Sequence, residues 1–295
     1  MIIVQLLGGL GNQMFQYASA RSIALHKNTK LKLDIFFFGT YKQDTRRQYD
    51  LGCFNTLQDF ATPEDIYKVK GRISDGLSGK LFKAFDMLKP ISKRRYIKEK
   101  HFHFDPRIFD ISTDAYLKGY WQSEKYFKGI EDTIREEFTL REDPDAENKM
   151  AAEQITSVPS VSIHIRRGDY VEDAKTNSVH GTCSLDYYHK AVDMIAGRIK
   201  DPHFFIFSDD PGWVKENLKL DYPVTYINHN LGKKDYEDMR LMSLCRHQIT
   251  ANSSFSWWGA WLNKNPGKIV IVPGQWFKDN SINTKDLIPA GWKRI

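Results

Sequence analysis

From residue 161 onward the chain repeats one pattern, a short and nearly continuous apolar run, a polar or glycine turn, then a stretch with helical spacing. The runs are VSIHI at 161–165, HFFIFS at 203–208, PVTYI at 223–227, HQITA at 247–251 and KIVIV at 268–272. Strands that are apolar on both faces belong in a parallel sheet covered on both sides. After the first run, Tyr188, Ala191, Val192, Ile195 and Ile199 keep helical spacing behind a Ser184 cap, and 212–219, 235–245 and 254–263 supply three more helices. This half is expected to be Rossmann-like. The first half opens the same way, with a strand at 2–6, a glycine turn, a helix from Asn12 to His26 and a strand at 30–35. Residues 36–150 then mix loop and helical patterns, and the polar run Arg141–Asn148 reads as a linker, so the expected domains are 1–150 and 151–295.

A chain of 295 residues with 41% hydrophobic and 13% aromatic residues can bury a sizeable core, which excludes disordered and fibrous classes. Cys53, Cys183 and Cys245 form neither a CxxC pair nor a disulfide framework, and fit a reducing compartment. No stretch approaches the roughly 18 apolar residues of a membrane span, and the start, MIIVQLLGGLGNQ, lacks the basic region of a signal peptide. A cytoplasmic location is expected. The net charge of +6 is unevenly spread, since residues 68–100 hold eleven basic and three acidic side chains and the remainder is slightly acidic. Within that segment Leu77, Leu81, Phe85 and Leu88 fall on one stripe beside Lys80, Lys83 and Lys89. Two readings follow: a solvated helix packed on its own domain, or a helix lying peripherally on the anionic inner face of a membrane.

Ligands of open α/β sheets lie beyond the carboxyl ends of the strands, so the turn after each apolar run carries the chemistry. The first turn is His164-Ile165-Arg166-Arg167-Gly168-Asp169. Two adjacent arginines point to opposite sides of an extended chain, so Arg166, on the face of His164, is the one suited to a diphosphate, and Arg167 braces the backbone or an acid such as Asp169. The bland reading of Arg166 is a salt bridge between strands. The second turn is Ser208-Asp209-Asp210-Pro211, where one carboxylate suits a guanine or ribose edge and the other caps the next helix. In the third, Asn252-Ser253-Ser254-Phe255, hydroxyls open a helix whose N-terminal amides suit an anion.

The fourth turn, Gly8-Gly9-Leu10-Gly11-Asn12-Gln13-Met14, places Met14 at the last glycine of GxGxxG and lacks the GK[ST] of a P-loop. A dinucleotide cofactor is thereby disfavoured. What survives is a glycine turn that brings the backbone, with the amides of Asn12 and Gln13, close to a ligand, set against a plain turn with a helix cap. The histidines form no HExxH and the only Asp-x-Asp, Asp143-Pro144-Asp145, falls in the linker, so no metal site is expected.

Five segments in order, GGLGNQMFQYA at 8–18, GYWQSEKYF at 119–127, HIRRGDY at 164–170, FSDDPGWVKENL at 207–218 and ITANSSFSWWGAWL at 249–262, resemble the family 11 glycosyltransferases, the bacterial α-1,2-fucosyltransferases. The resemblance implies a GT-B-like α/β fold of two Rossmann-like domains facing across a cleft, an N-terminal acceptor side and a C-terminal domain for the donor GDP-fucose. It also implies inversion at the anomeric carbon without a metal, and a galactose-containing oligosaccharide or lipid-linked glycan as acceptor. Carried residue by residue, Arg166 resembles the arginine on the donor β-phosphate, and His164 with one of Asp209 and Asp210 the guanine-reading pair. Ser253 and Ser254, followed by Phe255, match the phosphate-contacting turn, and Gly9, Gly11, Asn12 and Gln13 the glycine loop. Two departures stand out. Related protein O-fucosyltransferases carry an arginine where this chain has Gly9, and α-1,6 enzymes a glutamine where it has Phe255.

The expected chemistry is stabilisation of charge on the departing diphosphate by Arg166, with Asn12 at the cleft. A base for the acceptor hydroxyl is sought among Asp169, Glu172 and Asp173. Other readings stay open: a transferase of another nucleotide sugar, or a non-catalytic carbohydrate-binding protein using the seven tryptophans and fourteen tyrosines. Nucleic acid is not an expected partner, because the positive charge is confined to one segment and no RNP-like motif is present.

Overall fold

The computed structural model describes every residue except 41–46, 71–87, 169, 170, 172, 173, 231 and 233. Leu77, Leu81 and Phe85 of the amphipathic stripe lie outside the described residues, and Leu88, its last member, is exposed. No helix among the described residues is long and apolar enough to cross a membrane. The chain forms two compact units, Met1–Arg141 with Asn283–Ile288, and Glu142–Ile282 with Pro289–Ile295.

The first unit holds four parallel strands, β1 (Ile2–Gln5), β2 (Leu31–Asp34), β3 (Tyr96–Lys98) and β4 (Ala115–Lys118), in the order β2-β1-β4-β3. Helix Leu10–His26 makes the crossover from β1 to β2 and buries Met14, Phe15, Tyr17 and Ile23 fully. It starts two residues before the expected Asn12, because Gly9 serves as its N-cap. Strands β3 and β4 escape the sequence pattern: β3 has three residues, of which only Ile97 is buried. The returning segment 283–288 is fastened by Asp286, which accepts the Phe104 amide at 3.0 Å and the Lys125 ammonium at 2.6 Å, while its carbonyl accepts the Ser123 hydroxyl at 2.6 Å.

The second unit is a six-stranded, all-parallel sheet built from β5 (Ser160–Ile165), β6 (His203–Ser208), β7 (Val224–Ile227), β8 (His247–Ile249), β9 (Val270–Val272) and β10 (Lys293–Arg294). The order β10-β9-β8-β5-β6-β7 is the doubly wound one, in which the chain runs outward from β5 to one edge and then starts again at β8 on the other side. All five expected strands are present. The sixth, two exposed residues, has too little apolar content to be read from sequence. Val161, Ile163, Phe204, Ile206, Ile249 and Ile271 form the core, with Tyr188, Val192 and Ile195 of helix Leu185–Ala196 packed on it. Ser184 caps that helix as expected, accepting the Tyr187 amide at 3.2 Å. Residue 150 falls inside helix Ala146–Ser157, which Asp145 caps through the Asn148 amide and which buries Ala151 and Ile155, so the polar run 141–148 is in part the start of a packed helix.

Candidate active site

In a doubly wound sheet the reversal of winding opens a crevice at the carboxyl ends of the two strands that flank it, here β5 and β8. The loops after these strands hold Arg166-Arg167-Gly168 and Asn252-Ser253-Ser254, and beside them the His164 ring at the end of β5 lies 5.5 Å from the Phe255 ring in the first turn of the helix that follows β8. Two of the four segments singled out in the sequence therefore converge at this point, and the third, after β6, joins them through its carboxylates.

Asp209 binds both arginines of the first loop. One oxygen pairs with Arg166 Nη1 at 3.1 Å and the other accepts the Arg167 amide at 2.9 Å. A Cβ on Gly168 would lie 2.5 Å from Asp209 Oδ2, so only glycine lets the carboxylate come this close. Asp210 does the work expected of a cap: Oδ1 accepts the Trp213 amide at 3.2 Å to start helix Pro211–Asn217, and Oδ2 takes Arg167 Nε at 3.3 Å. The Arg167 guanidinium also lies 3.5 Å from the Trp213 ring centroid. Arg167 is thus a brace, as its outward direction on the chain predicts, but its acid is Asp210. Asp169, Glu172 and Asp173 lie outside the described residues.

His164 is 6% exposed and its Nδ1 has no hydrogen-bond partner among the described residues. Burial, and then the neighbouring Arg166 charge, push its pKa down to about 3, so the ring is neutral and can offer a donor or an acceptor to a ligand edge. The Tyr188 hydroxyl donates to the His164 carbonyl at 3.2 Å and fixes the strand end. An imidazole held neutral carries a pH signature. The unfolded side chain titrates near 6.5, whereas the folded one stays uncharged down to about 3, so between these values the unfolded state binds the extra proton and stability falls as pH drops. The loss from this group reaches about 2 kcal/mol at pH 5. In urea melts the wild type is expected to lose that much more stability than His164→Asn between pH 7 and 5; parallel losses would refute the assignment.

On the β8 side Ser253 caps helix Ser254–Leu262, its hydroxyl accepting the Phe255 amide at 3.3 Å. Ser254 and Phe255 are partly buried in the first turn. The helix is held rigidly by Trp257 and Trp258, both fully buried, and by Gly259, whose missing side chain admits Met242. Asn252 is buried and structural, donating to the carbonyls of His180, Gly181 and Trp276.

The glycine turn of the first unit follows β1. Gly8 has φ +80° and a Cβ there would lie 2.7 Å from Asn12 Nδ2, so this turn requires glycine. The amides of Asn12 and Gln13 do not open toward a ligand as expected. Both donate to the Gly9 carbonyl, at 3.0 and 3.1 Å, because they close the first turn of the helix. The Gln13 side chain is fully buried and pins the 48–50 loop, donating to the Gly8 and Gln48 carbonyls and accepting the Asp50 amide. Gly11 is buried within the helix. Asn12 Oδ1 accepts Gln122 Nε2 at 2.6 Å, which ties the turn to the GYWQSEKYF segment after β4. Sequence reasoning missed Arg47. A Cβ on Gly9 would lie 2.8 Å from its Nη1, so a guanidinium from elsewhere in the chain approaches the position where the resemblance to protein O-fucosyltransferases breaks down. Among the described residues no three His, Cys, Asp or Glu side chains are gathered as for a metal ion.

The family model "Glycosyl transferase family 11" matches residues 70–295. The chain is 34% identical over 306 residues to an alpha-1,2-colitosyltransferase of Escherichia coli, covering 100% of this chain and 98% of that protein. It is 33% identical over 305 residues to the O-antigen biosynthesis glycosyltransferase WbnK of Escherichia coli, covering 97% and 98%. Among solved structures, NodZ alpha-1,6-fucosyltransferase co-crystallized with GDP superposes with a TM-score of 0.53 at 14% identity over 88% of this chain and 91% of that one, a likeness of fold. The GT-B-like α/β class follows from the parallel sheets and this likeness. With the family model spanning the doubly wound unit and relatives aligned from end to end, the chain belongs to glycosyltransferase family 11 and is a glycosyltransferase.

Proposed function

We propose that the protein moves L-fucose from GDP-fucose to the 2-hydroxyl of a galactose-terminated glycan, with inversion and without a metal ion. The observation that carries the donor half is the convergence of Arg166, a neutral His164 and the Ser253-capped helix at the switch point of the second unit. As the acceptor oxygen forms its bond to the anomeric carbon, the bond from that carbon to the diphosphate oxygen breaks. The acceptor proton leaves to a base and the electron pair departs with GDP. Negative charge then gathers on the diphosphate, where Arg166, the Ser253 and Ser254 hydroxyls and the helix N-terminus are set to receive it. In this reading His164 and Asp209 are the residues that meet guanine or ribose edges, and Asp169, Glu172 and Asp173 are the candidates for the base. The second unit serves the donor and the first the acceptor.

The relatives support the linkage, since they include proteins named for α-1,2 transfer, among them a colitosyltransferase of Escherichia coli and a galactoside fucosyltransferase of Rattus norvegicus. The first also favours a second reading, a colitose donor. A donor screen with GDP-fucose, GDP-colitose, GDP-mannose and UDP-galactose against lactose, with and without EDTA, separates them. The expected result is an α-1,2-fucosylated product whose yield EDTA leaves unchanged; preference for GDP-colitose would establish the second reading, and preference for GDP-mannose or UDP-galactose would overturn both.

A further inference from the structure

The first unit has a cavity of about 760 Å³ at the carboxyl ends of β3 and β4, the side of a parallel sheet where ligands bind. Its charge is one-sided. Arg94, Lys98, Lys100, Arg107 and Lys118 line it against two carboxylates, Glu99 and Asp105. Asp105 is taken by Arg107 through two contacts of 2.8 and 2.7 Å, and Glu99 accepts the backbone amides of Tyr120 and Trp121 at 2.7 and 3.0 Å. Lys98 and Lys118 are register partners on adjacent strands, so their side chains leave the sheet on the same face. Like charges directly opposite one another cost stability. Three of the five cations, Arg94, Lys98 and Lys100, come from the basic segment that sets this chain's charge apart.

Trp121 lines the same cavity and is 2% exposed, with an indole N–H that has no partner among the described residues. Its φ of +56° is a conformation that a bulky side chain rarely adopts. The Glu99 carboxylate and two donors to the Trp121 carbonyl, the Ser19 hydroxyl and the Ser123 amide, hold it there. An unused indole donor in a cavity that is also lined by two lysines from one face of the sheet suits a sugar that carries negative charge.

We propose that this cavity is the acceptor subsite and that it takes a glycan bearing an anionic group, with Lys98 and Lys118 as the countercharge and the Trp121 indole N–H as a donor to the sugar. The inference rests on the transferase reading above, and it narrows the acceptor from any galactose-terminated glycan to one carrying a phosphate or a carboxylate. The two lysines are binding residues that never touch the reacting carbon.

The test uses the full-length protein with galactose, galactose 1-phosphate, galacturonic acid and inorganic phosphate, each titrated by NMR without donor. Galactose 1-phosphate or galacturonic acid is expected to bind at least tenfold more tightly than galactose, the stronger of the two identifying phosphate or carboxylate as the group, and the advantage should shrink between 0.05 and 0.5 M salt. The double variant Lys98→Gln/Lys118→Gln is expected to erase the advantage while its melting temperature stays level or rises, since it removes a repulsion, and while KM for GDP-fucose stays unchanged. Galactose binding as tightly as its charged analogues, inorganic phosphate binding as tightly as galactose 1-phosphate, or a double variant within twofold of wild type would each overturn the proposal. A protein that shows the advantage but transfers nothing from any GDP-sugar would leave the cavity standing and overturn the donor reading instead.

Discussion

Arg166→Ala is expected to lower kcat/KM by 10² to 10³ while leaving the fold intact, and the contrast between those two effects is what makes the experiment informative. The ion pair with Asp209 has both partners 25% exposed, so its contribution to folding is about 1 kcal/mol or less. Asp209 keeps the Arg167 amide as a partner when the guanidinium is gone, so no buried charge is orphaned. By comparison, removing one preorganised donor from a site of developing negative charge costs about 3 to 4 kcal/mol in the transition state. Arg166→Lys separates charge from geometry, because a lysine restores the charge without the planar fork and should recover only part of the rate. The measurement is single-turnover transfer alongside a urea melt and GDP binding. A variant with near-normal transfer, or one whose loss of rate merely tracks unfolding, would sink the role assigned to Arg166.

The parts of the molecule that were legible in the sequence are those where one physical rule acts alone. Four of the five main strands of the second unit, β5, β6, β8 and β9, are buried on both faces, so continuous apolar runs mark them, and the turns that follow mark the ligand side. Arg166 and His164 could be placed on one face from strand alternation, and a helix cap at one of Asp209 and Asp210 from the proline after them. The first unit resisted for a reason its strands make plain. β3 alternates a partly buried Tyr96, a buried Ile97 and an exposed Lys98, three residues without a run. Its stability comes from contacts distant in sequence, such as Asp286 on Phe104 and Lys125, which no local pattern encodes. The same holds for Arg47 beside Gly9 and for Glu99, whose partners are backbone amides more than twenty residues away. The GYWQSEKYF segment was visible as a family motif but not as a structure. Only the positive φ of Trp121 and the Gln122 contact to Asn12 show what it does.

Glu99→Ala is expected to destabilise the first unit by roughly 2 to 4 kcal/mol, because it strips the acceptor from two backbone amides at once and releases the clamp on Trp121. Gly119 is what admits the glutamate: a Cβ there would lie 2.4 Å from that of Glu99, so the carboxylate can reach the turn only over a bare backbone. Burial raises the Glu99 pKa to about 7, and the two amide hydrogen bonds offset only part of that rise. The direction of the resulting pH dependence is opposite to that of His164. The folded carboxyl holds its proton up to about 7 while the unfolded one releases it near 4.5, so from this group stability is greatest at acid pH and falls as pH climbs through that window. Glu99→Gln stays neutral throughout and keeps one acceptor, so its melting temperature should decline less than that of wild type between pH 5 and 8. Glu99→Ala should be measured at pH 8, where the wild-type carboxyl is ionised and both of its oxygens accept, and its acceptor KM should rise together with a shift in tryptophan fluorescence as Trp121 leaves its held conformation. If Glu99→Ala melts with the wild type and Glu99→Gln shows the same pH slope, the clamp is not what holds Trp121, and the φ of that residue must be imposed by the Ser19 and Ser123 contacts alone.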